Sequence, residues 1–523
     1  MNRGSLMIPD WMRNSPHPFT NVLIANRGEI AVRIIKATRE AGLRSIAIFS
    51  DADRYSLHVE IADDSFYLPG ETLEETYLNL ESIIKIAKDS GAEAIHPGYG
   101  FLSERPDFAE AVKDAGLIWI GPPSDAIAIM GNKISARKLM IDSDVPVIPG
   151  EELEITEDAE HLGLLASAAA KIGYPLLLKA SAGGGGKGMR TVIEPRSLRT
   201  EYEAAAREAS TAFGDGTIYI EKLLKNSRHV EIQILSDNFG KTIHLNERDC
   251  SLQRRFQKII EESPSPALTP EIRKKMGDAA IKAANSVGYV GAGTVEFLLT
   301  SNGLFYFLEM NTRLQVEHPV TELVTGIDLV QKQFEIASGL PIEVSQENIS
   351  IQGHAIEARI YAEDPESGFL PSTGKIETWI PPDGPGIRVD SGMREKDEVS
   401  IDFDPMLAKL IVHGPDRKSA IRRLQTALSN FIVLGVRTNI GFMQDLISDQ
   451  SFLIGDVDTD FIKNTETTNL EKPKIDDKII ALFASASDYI GINRNTSTTS
   501  KNSYNEFNDY YQDPFHILNR NFP

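Results

Sequence analysis

The sequence predicts a multidomain protein of α/β and α+β units that begins with a doubly wound parallel sheet. With 523 residues, the chain exceeds the size that one hydrophobic core usually supports. Short apolar strands alternate with helical patterns from residue 22 to residue 122, and this alternation is typical of a parallel sheet covered by helices. After residue 230 the strands follow one another in the manner of antiparallel hairpins.

The elements of the first unit follow from apolar runs and helical spacing. Strands are predicted at residues 22–25, 45–49, 94–96 and 118–121, with a helix at 30–41 after the first strand. One bridging helix is predicted at 127–143. A smaller unit follows, in which strands beginning at Leu176 and Met189 flank a run of glycines.

The second half predicts mixed structure and then a polar tail. A helix is expected at residues 270–287 among the antiparallel strands, and another near 418–430 within an α+β unit at 354–463. The last sixty residues change character: Asn, Ser and Thr dominate the run RNTSTTSKNS at 494–503, which cannot bury enough apolar surface to order itself. Only residues 476–490 of this tail have an amphipathic helical pattern.

Composition narrows the class of protein. A net charge of -21 disfavours a nucleic-acid partner, and it requires any site for an anion to concentrate its positive charge locally. Cys250 is the single cysteine, so no internal disulfide is possible and a reducing, cytoplasmic setting is expected. No segment predicts a membrane span, and the first nineteen residues resemble a loose leader without a signal-peptide core.

The glycine run, KASAGGGGKGMR at residues 179–190, is the most prominent local motif. A Rossmann loop would be followed by a helix, but the residues after Met189 have a strand pattern. A Walker A loop would end in Lys-Ser or Lys-Thr. The remaining interpretation is a glycine hairpin whose backbone N–H groups, with Lys179 and Lys187, hold phosphates and close as a lid. A plain surface turn is the alternative.

A hairpin predicted at residues 296–317 carries the most chemical information. Asn302-Gly303 between apolar strands is a strong signal for a two-residue turn, and counting outward from it pairs Glu296 with Glu309. Two facing carboxylates repel each other unless a divalent cation or another positive group neutralises them. Strand alternation would then continue the same polar face to Glu317, in the order Glu309, Asn311, Arg313, Gln315 and Glu317. The alternative is a solvated edge strand.

Several motifs in order resemble the biotin carboxylase family from about residue 21 to residue 460. They are NRGEIA at 26–31, HPGYGFLSE at 96–104, the glycine run, ERDCSLQRR at 247–255, EMNTRLQVEHP at 309–319 and FDPMLAKL at 403–410. The resemblance implies an ATP-grasp enzyme that carboxylates biotin with bicarbonate through carboxyphosphate, using ATP and Mg²⁺ or Mn²⁺. It also implies a division into a leader (1–19), a pre-ATP-grasp domain (20–122), a linker (123–150), a lid (151–224), an ATP-grasp core (225–353), a biotin carboxylase C-terminal domain (354–463) and a tail (464–523).

The resemblance assigns roles to individual residues. The implied metal ligands are Glu296, Glu309 and Asn311. The implied ATP-binding residues are Lys133, Lys179, Gly183, Gly184, Gly185, Gly186, Glu221, Lys222, Leu224, His229, Gln253 and Leu298. Bicarbonate would bind Arg313, Gln315 and the Val316 N–H, since a guanidinium matches a planar anion. Glu317 would be the general base, Lys258 would stabilise carboxyphosphate and Arg359, in EARI at 357–360, would stabilise the ureido oxyanion of biotin.

Some features depart from the family or leave alternatives open. Phe256 stands where the family often has histidine, so a polar contact with the nucleotide could be lost, or the ring could stack or face away. His96 and His229, taken alone, would more often be structural histidines than ligands, and Cys250 is expected to be an inert buried thiol. No Ala-Met-Lys-Met-like string is found, so we expect biotin on a separate carrier protein, a separate carboxyltransferase subunit and, from the family, a homodimer.

Three other questions remain open from the sequence. The final acceptor could be acetyl-CoA, propionyl-CoA or pyruvate. Rival classes are another bicarbonate-using ATP-grasp ligase, such as a carbamoyl-phosphate synthetase half, and a catalytically silent nucleotide-binding protein. The tail could dock a partner through residues 476–490 and the aromatic residues Tyr510, Tyr511 and Phe515, or it could be disordered.

Overall fold

The structure is a computed structural model that describes residues 8–153, 159–180, 189–213 and 216–465. The leader before residue 8, the glycines at 183–186 and the tail helix predicted at 476–490 lie outside the described residues. Among the helices of the described part, none is long and apolar enough to cross a membrane.

The first unit is a five-stranded parallel sheet in the order β3-β2-β1-β4-β5. The strands are β1 (Asn21–Ile24), β2 (Arg44–Phe49), β3 (Asp64–Tyr67), β4 (Ala94–His96) and β5 (Ile118–Trp119). The helices are α1 (Gly28–Glu40), α2 (Leu57–Ile61), α3 (Leu80–Ser90) and α4 (Pro106–Asp114). The predicted parallel sheet is confirmed, and the buried apolar run of β1 is typical of a strand covered on both faces.

The bridging segment forms two helices where the sequence predicted one. They are α5 (Ser124–Gly131) and α6 (Lys133–Asp142). Asn132 between them is extended, and its side chain accepts hydrogen bonds from the N–H groups of Ile134 and Ser135. An asparagine cap of this kind starts a new helix, so it interrupts the predicted one.

A four-stranded sheet follows in the order β6-β9-β7-β8. Its elements are β6 (Gly150–Leu153), α7 (Ala159–Ile172), β7 (Leu176–Ala180), β8 (Arg190–Val192), α8 (Leu198–Phe213) and β9 (Ile218–Lys222). The strands on either side of the glycine run, β7 and β8, pair antiparallel, as the sequence predicted.

An eight-stranded sheet in the order β14-β13-β10-β11-β12-β15-β22-β20 forms the centre of the remaining part. Its strands are β10 (Arg228–Ser236), β11 (Thr242–Arg254), β12 (Gln257–Ser263), β13 (Gly291–Leu299), β14 (Phe305–Asn311), β15 (His354–Tyr361), β20 (Ile387–Ser391) and β22 (Met406–Gly414). Short pairs surround it: β16 (Glu363–Asp364) with β17 (Leu370–Pro371), β18 (Gly374–Lys375) with β21 (Glu398–Val399), and β19 (Thr378–Ile380) with β23 (Ile432–Leu434).

Helices pack on both faces of this sheet, and charged groups are buried on one of them. The helices of this part are α9 (Pro270–Ser286), α10 (His318–Thr325), α11 (Leu329–Ala337), α12 (Arg417–Asn430), α13 (Ile440–Ser448), α14 (Gln450–Ile454) and α15 (Phe461–Thr465). Val230, Ile232, Val295 and Phe297 pack with α9 in one core cluster, and α12 packs with β15 and β22 in another. Because side chains alternate along a strand, Glu231 and Glu296 between these core residues point to the opposite face.

Candidate active site

The β13–β14 hairpin brings Glu296 and Glu309 opposite each other, as predicted, but by a different turn. Leu299 pairs with Phe305, so the loop is longer than the two residues predicted, and Gly303 adopts a positive φ of 81°. A β-bulge then shifts the register between Glu296 and Phe297. The longer loop and the bulge offset each other, so the predicted pair forms although the predicted turn is wrong.

The predicted strand face does not continue beyond Asn311, where β14 ends. Leu314 packs in the core cluster of the first unit, whereas Met310 packs with α9, so the two do not share a face. Pro319 lies in the first turn of α10, a position that suits proline because its missing N–H has no partner to lose there. Glu317 is therefore the N-cap residue of α10 and not part of a strand.

The side chains after Asn311 nevertheless gather at the carboxylate pair. Gln315 Nε2 donates to Glu296 Oε1 at 3.1 Å, and Arg313 Nη2 donates to Asn311 Oδ1 at 3.1 Å. Asn311 Nδ2 also donates to Glu296 Oε1, at 2.8 Å. The loop places the predicted site residues together by folding back over the sheet.

The donors around Glu296 and Glu309 fit a hard cation. Burial raises the pKa of Glu309, and the neighbouring Glu296 carboxylate adds to this rise, so ionised Glu309 lacks sufficient positive charge nearby. Carboxylate and amide oxygens are the ligands that Mg²⁺ takes in proteins. Coordination through Asn311 requires its amide to turn, because Nδ2 now faces Glu296.

Glu317 is a fully buried carboxylate between two cations. Lys258 Nζ lies 2.7 Å from Oε1, and Arg359 Nη2 lies 3.0 Å from Oε2. Burial acts to raise the pKa of Glu317, but Lys258 and Arg359 outweigh it and hold the pKa well below the usual value. The group is therefore ionised at neutral pH and able to accept a proton.

Lys258 joins the predicted base to the predicted metal site. Its Nζ also lies 2.8 Å from Glu296 Oε1 and 2.5 Å from Glu231 Oε2. Burial acts to lower the pKa of Lys258, and the three carboxylates raise it well above its usual value. The lysine is therefore a fixed positive charge beside the opposed carboxylates.

Arg313 is held by a residue from the first unit. Its Nε donates to Glu104 Oε2 at 2.9 Å. The carbonyl of Val316 accepts from Lys409 Nζ at 2.9 Å. The predicted bicarbonate residues Arg313, Gln315 and Val316 are thus positioned by contacts from three separate parts of the chain.

The predicted ATP-binding residues of the described part lie on or beside both antiparallel sheets and at the start of α6. Lys179 forms an ion pair with Glu221, and Gln253 Nε2 lies 2.6 Å from His229 Nδ1. Burial lowers the pKa of Lys133, at the first residue of α6, while Glu309 acts to raise it.

His229 and Lys222 make further contacts inside the protein. His229 Nε2 lies 2.8 Å from Glu296 Oε2, so it neighbours the carboxylate pair. Lys222 Nζ donates to the carbonyls of Gly173 and Tyr174, so its charge serves the fold. Leu224 and Leu298 are half-buried.

Phe256 is largely exposed. It lies with Arg255 in the tight turn between β11 and β12, both residues have positive φ, and the Phe256 side chain is 66% exposed. Cys250 is fully buried, and burial raises the pKa of its thiol well above the usual value, in agreement with the predicted inert thiol.

Sequence reasoning missed several charged residues of this face. They are Glu104, Glu231, Arg248, Glu261, Glu357 and Lys409. Arg248 Nε donates to Glu231 Oε1 at 2.5 Å, and Glu231 in turn contacts Lys258. The sequence shows that these residues lie in motifs or in alternating strands. Their partners are distant in the sequence, so only the order of the strands in the sheet reveals the contacts.

The fold and the site together define a class of enzyme. A parallel-sheet unit, a small antiparallel sheet with two lysines and a larger antiparallel sheet with opposed carboxylates are the parts of an ATP-grasp ligase. Three family profiles match in order: the N-terminal domain of biotin carboxylase over residues 18–127, the ATP-binding domain of the carbamoyl-phosphate synthase L chain over 132–345 and the C-terminal domain of biotin carboxylase over 357–464. The chain belongs to the biotin carboxylase family. It is an ATP-dependent ligase that carboxylates biotin and uses Mg²⁺.

Relatives and solved structures agree with this assignment. Biotin carboxylase 1 of Bacillus subtilis is 49% identical over 443 residues, which are 84% of this chain and 98% of the relative. The mitochondrial methylcrotonoyl-CoA carboxylase subunit alpha is 50% identical in Dictyostelium discoideum and in rat, and the match covers 90% and 85% of this chain but only 67% and 62% of those longer proteins. The biotin carboxylase domain dimer of the Hydrogenobacter thermophilus 2-oxoglutarate carboxylase, in complex with MgADP, ADP and bicarbonate, superposes with a TM-score of 0.81 at 44% identity over 86% of this chain and 98% of that one.

Proposed function

We propose that this chain performs the first half-reaction of a multisubunit biotin-dependent carboxylase, with Glu317 as general base and Arg359 at the biotin. The observation that carries the proposal is the buried Glu317 carboxylate, ionised between Lys258 and Arg359 and one residue after the predicted bicarbonate pocket. A base, a cation for the transferring phosphoryl group and a cation for a ureido oxyanion therefore meet at one point.

The first step is the attack of bicarbonate on the γ-phosphorus of ATP. Arg313 and Gln315 would hold bicarbonate, and Glu317 would take its proton as the new O–P bond forms and ADP leaves. Lys258 would stabilise the charge on the transferred group. Glu296, Glu309 and Asn311 would hold Mg²⁺, which when bound neutralises charge on the ATP phosphates.

The second step transfers the carboxyl group. Carboxyphosphate breaks into CO₂ and phosphate, the phosphate takes the proton from biotin N1, and N1 attacks CO₂. Arg359 would stabilise the negative charge that develops on the ureido oxygen. Lys133, Lys179 and the glycines at 183–186 would hold the nucleotide phosphates and keep water from the intermediate.

We further propose that biotin arrives on a separate carrier protein, that a separate carboxyltransferase uses the product, and that the chain acts in the cytoplasm as a homodimer. The Bacillus subtilis relative, which this chain matches over 98% of its length, is named a biotin carboxylase. The dimer named for the Hydrogenobacter domain supports the homodimer. Purifying the native complex and assaying acetyl-CoA, propionyl-CoA and pyruvate as acceptors would identify the final substrate.

The test of the half-reaction is ATP hydrolysis by the purified full chain with and without bicarbonate and free biotin. We expect hydrolysis to require bicarbonate and to rise with biotin, and Glu317→Gln to lower the rate by about 10²–10⁴-fold, the contribution typical of a general base. Hydrolysis that ignores biotin would indicate another bicarbonate-using ligase. No hydrolysis at all would indicate a silent nucleotide-binding protein.

A further inference from the structure

A second pair of facing carboxylates lies on the same sheet, away from the metal site. Glu261 on β12 pairs in register with Glu357 on β15, and both are fully buried. Glu357 and Arg359 are two residues apart on β15, so their side chains share a face of the sheet. Neither carboxylate was assigned a role from the sequence.

Glu261 contacts Arg359 directly. Arg359 Nε donates to Glu261 Oε1 at 2.6 Å, while Arg359 Nη2 donates to Glu317 Oε2 at 3.0 Å. Two carboxylates thus hold different nitrogens of one buried guanidinium. Bonds between a guanidinium and carboxylates are short, strong and directional, so they fix the plane of the group as well as its position.

We propose that Glu261 is a positioning residue that keeps Arg359 oriented toward biotin during the second step. This inference rests on the proposed function, since it takes Arg359 as the group that stabilises the ureido oxyanion. The reason is that Glu317, the other carboxylate that contacts Arg359, changes its charge during the reaction. When Glu317 accepts the bicarbonate proton it loses its charge and with it the ion pair to Arg359, whereas Glu261 keeps its contact.

Among the described residues, Glu261 reaches the groups of the first step only through Arg359. Lys258 is held by Glu231, Glu296 and Glu317, and the metal-site carboxylates lie on β13 and β14, which three strands separate from β15. Loss of Glu261 should therefore affect carboxyl transfer to biotin and leave carboxyphosphate formation nearly intact. A residue with a purely structural role would not separate the two steps.

The experiment measures two rates for Glu261→Gln in the full chain. Bicarbonate-dependent ATP hydrolysis without biotin reports the first step, and carboxybiotin formation with free biotin reports both. We expect the first rate to stay within about twofold of wild type and the second to fall about 10–100-fold, because small misplacements of a positioned group cost rates of this order. Glu261→Asp keeps the charge, so it should lose less and preserve the same order of effects.

Glu262→Gln is the matched control. Glu262 is the neighbouring buried carboxylate, but it pairs with Arg417 Nε at 2.7 Å and His354 Nε2 at 2.7 Å and does not touch Arg359. Thermal midpoints of all variants are compared, and we expect Glu262→Gln to lose stability without changing the ratio of the two rates.

Each result decides between distinct conclusions. If Glu261→Gln lowers both rates equally, so that their ratio is unchanged, the positioning role is overturned. If Glu261→Gln does not fold, the same comparison is made with Glu261→Asp. Wild-type enzyme that makes no carboxybiotin would overturn the proposed function itself. If wild-type enzyme forms carboxybiotin and Glu261→Gln forms it at the same rate, only this inference is overturned.

Discussion

Arg313, in the predicted bicarbonate pocket, forms an ion pair with Glu104 of the first unit. Glu104 holds its Nε at 2.9 Å, but the Glu104 side chain is 42% exposed. Ion pairs of this exposure contribute about 0.2–1 kcal/mol. Arg313 also donates to Gln315 Oε1 at 3.4 Å and to Asn311 Oδ1 at 3.1 Å, so Glu104 is one of several contacts that fix its position.

Removing the Glu104 carboxylate should weaken bicarbonate binding modestly. We expect Glu104→Gln to raise the KM for bicarbonate about two- to fivefold, the change that a loss of up to about 1 kcal/mol produces, and to leave the KM for ATP unchanged. Asp107→Asn removes an exposed carboxylate that pairs with Arg105 in the same region, and it should change neither value. Steady-state kinetics with varied bicarbonate measures this, and an equal rise in both KM values would contradict the positioning of Arg313 by Glu104.

Helices and strands of the fold could be predicted where the spacing of apolar residues within one segment defines them. Residues of the site could be predicted to lie together where a single hairpin sets which residues face each other. Glu296 and Glu309 could be paired because both lie near one turn. The loop from Thr312 to Glu317 could not be separated from a strand, because its alternating pattern arises from Leu314 packing against a different unit. Lys409 and Glu261 could not be placed at all, since their partners depend on the order of strands β12, β15 and β22 in the sheet.

The turn of the β13–β14 hairpin gives a prediction about its glycine. Gly303 has a φ of 81°, and an added Cβ would lie 3.2 Å from Ile272 Cδ1. A side chain in the left-handed region costs about 1–2 kcal/mol, so Gly303→Ala should lower the free energy of unfolding by about that amount while leaving the Glu296–Glu309 pair and the activity in place. Gly441→Ala, in helix α13 with open space around its Cβ, should be neutral or stabilising. Denaturant titration measures both, and a neutral Gly303→Ala would contradict the strained turn.

At the scale of the whole molecule, buried ion pairs connect the three family-matched regions around α10. Glu322 on this helix accepts from Arg33 of α1 at 2.9 Å and from Arg388 of β20 at 2.8 Å. Lys409 of β22 is fully buried, contacts Glu29 of α1 at 3.3 Å and donates to the carbonyl just before Glu317. The helix that begins at the predicted base is therefore fixed by both the first unit and the last strands, so its position depends on the correct docking of these two parts.

Glu322→Gln tests this connection, because it leaves two guanidiniums in the interior without their shared carboxylate. Arg33 keeps its pair with Asp328 and Arg388 keeps its pair with Asp390, so the loss should stay below the roughly 3–5 kcal/mol of an uncompensated buried charge, and we expect a measurable fall in the thermal midpoint at neutral pH. Burial acts to raise the pKa of Glu322, but Arg33 and Arg388 outweigh it and lower the pKa. The stabilisation is thus complete above the ordinary glutamate pKa and is lost as the pH falls below it, so the difference between wild type and variant should narrow toward acid pH.

Glu335→Gln, which removes the partly exposed pair with Lys332, should change the midpoint little at any pH. Thermal midpoints measured from pH 7 down to about pH 2, which spans the range below the ordinary glutamate pKa, check both, and a constant difference between wild type and Glu322→Gln over that range would show that the carboxylate acts through packing and not through its charge.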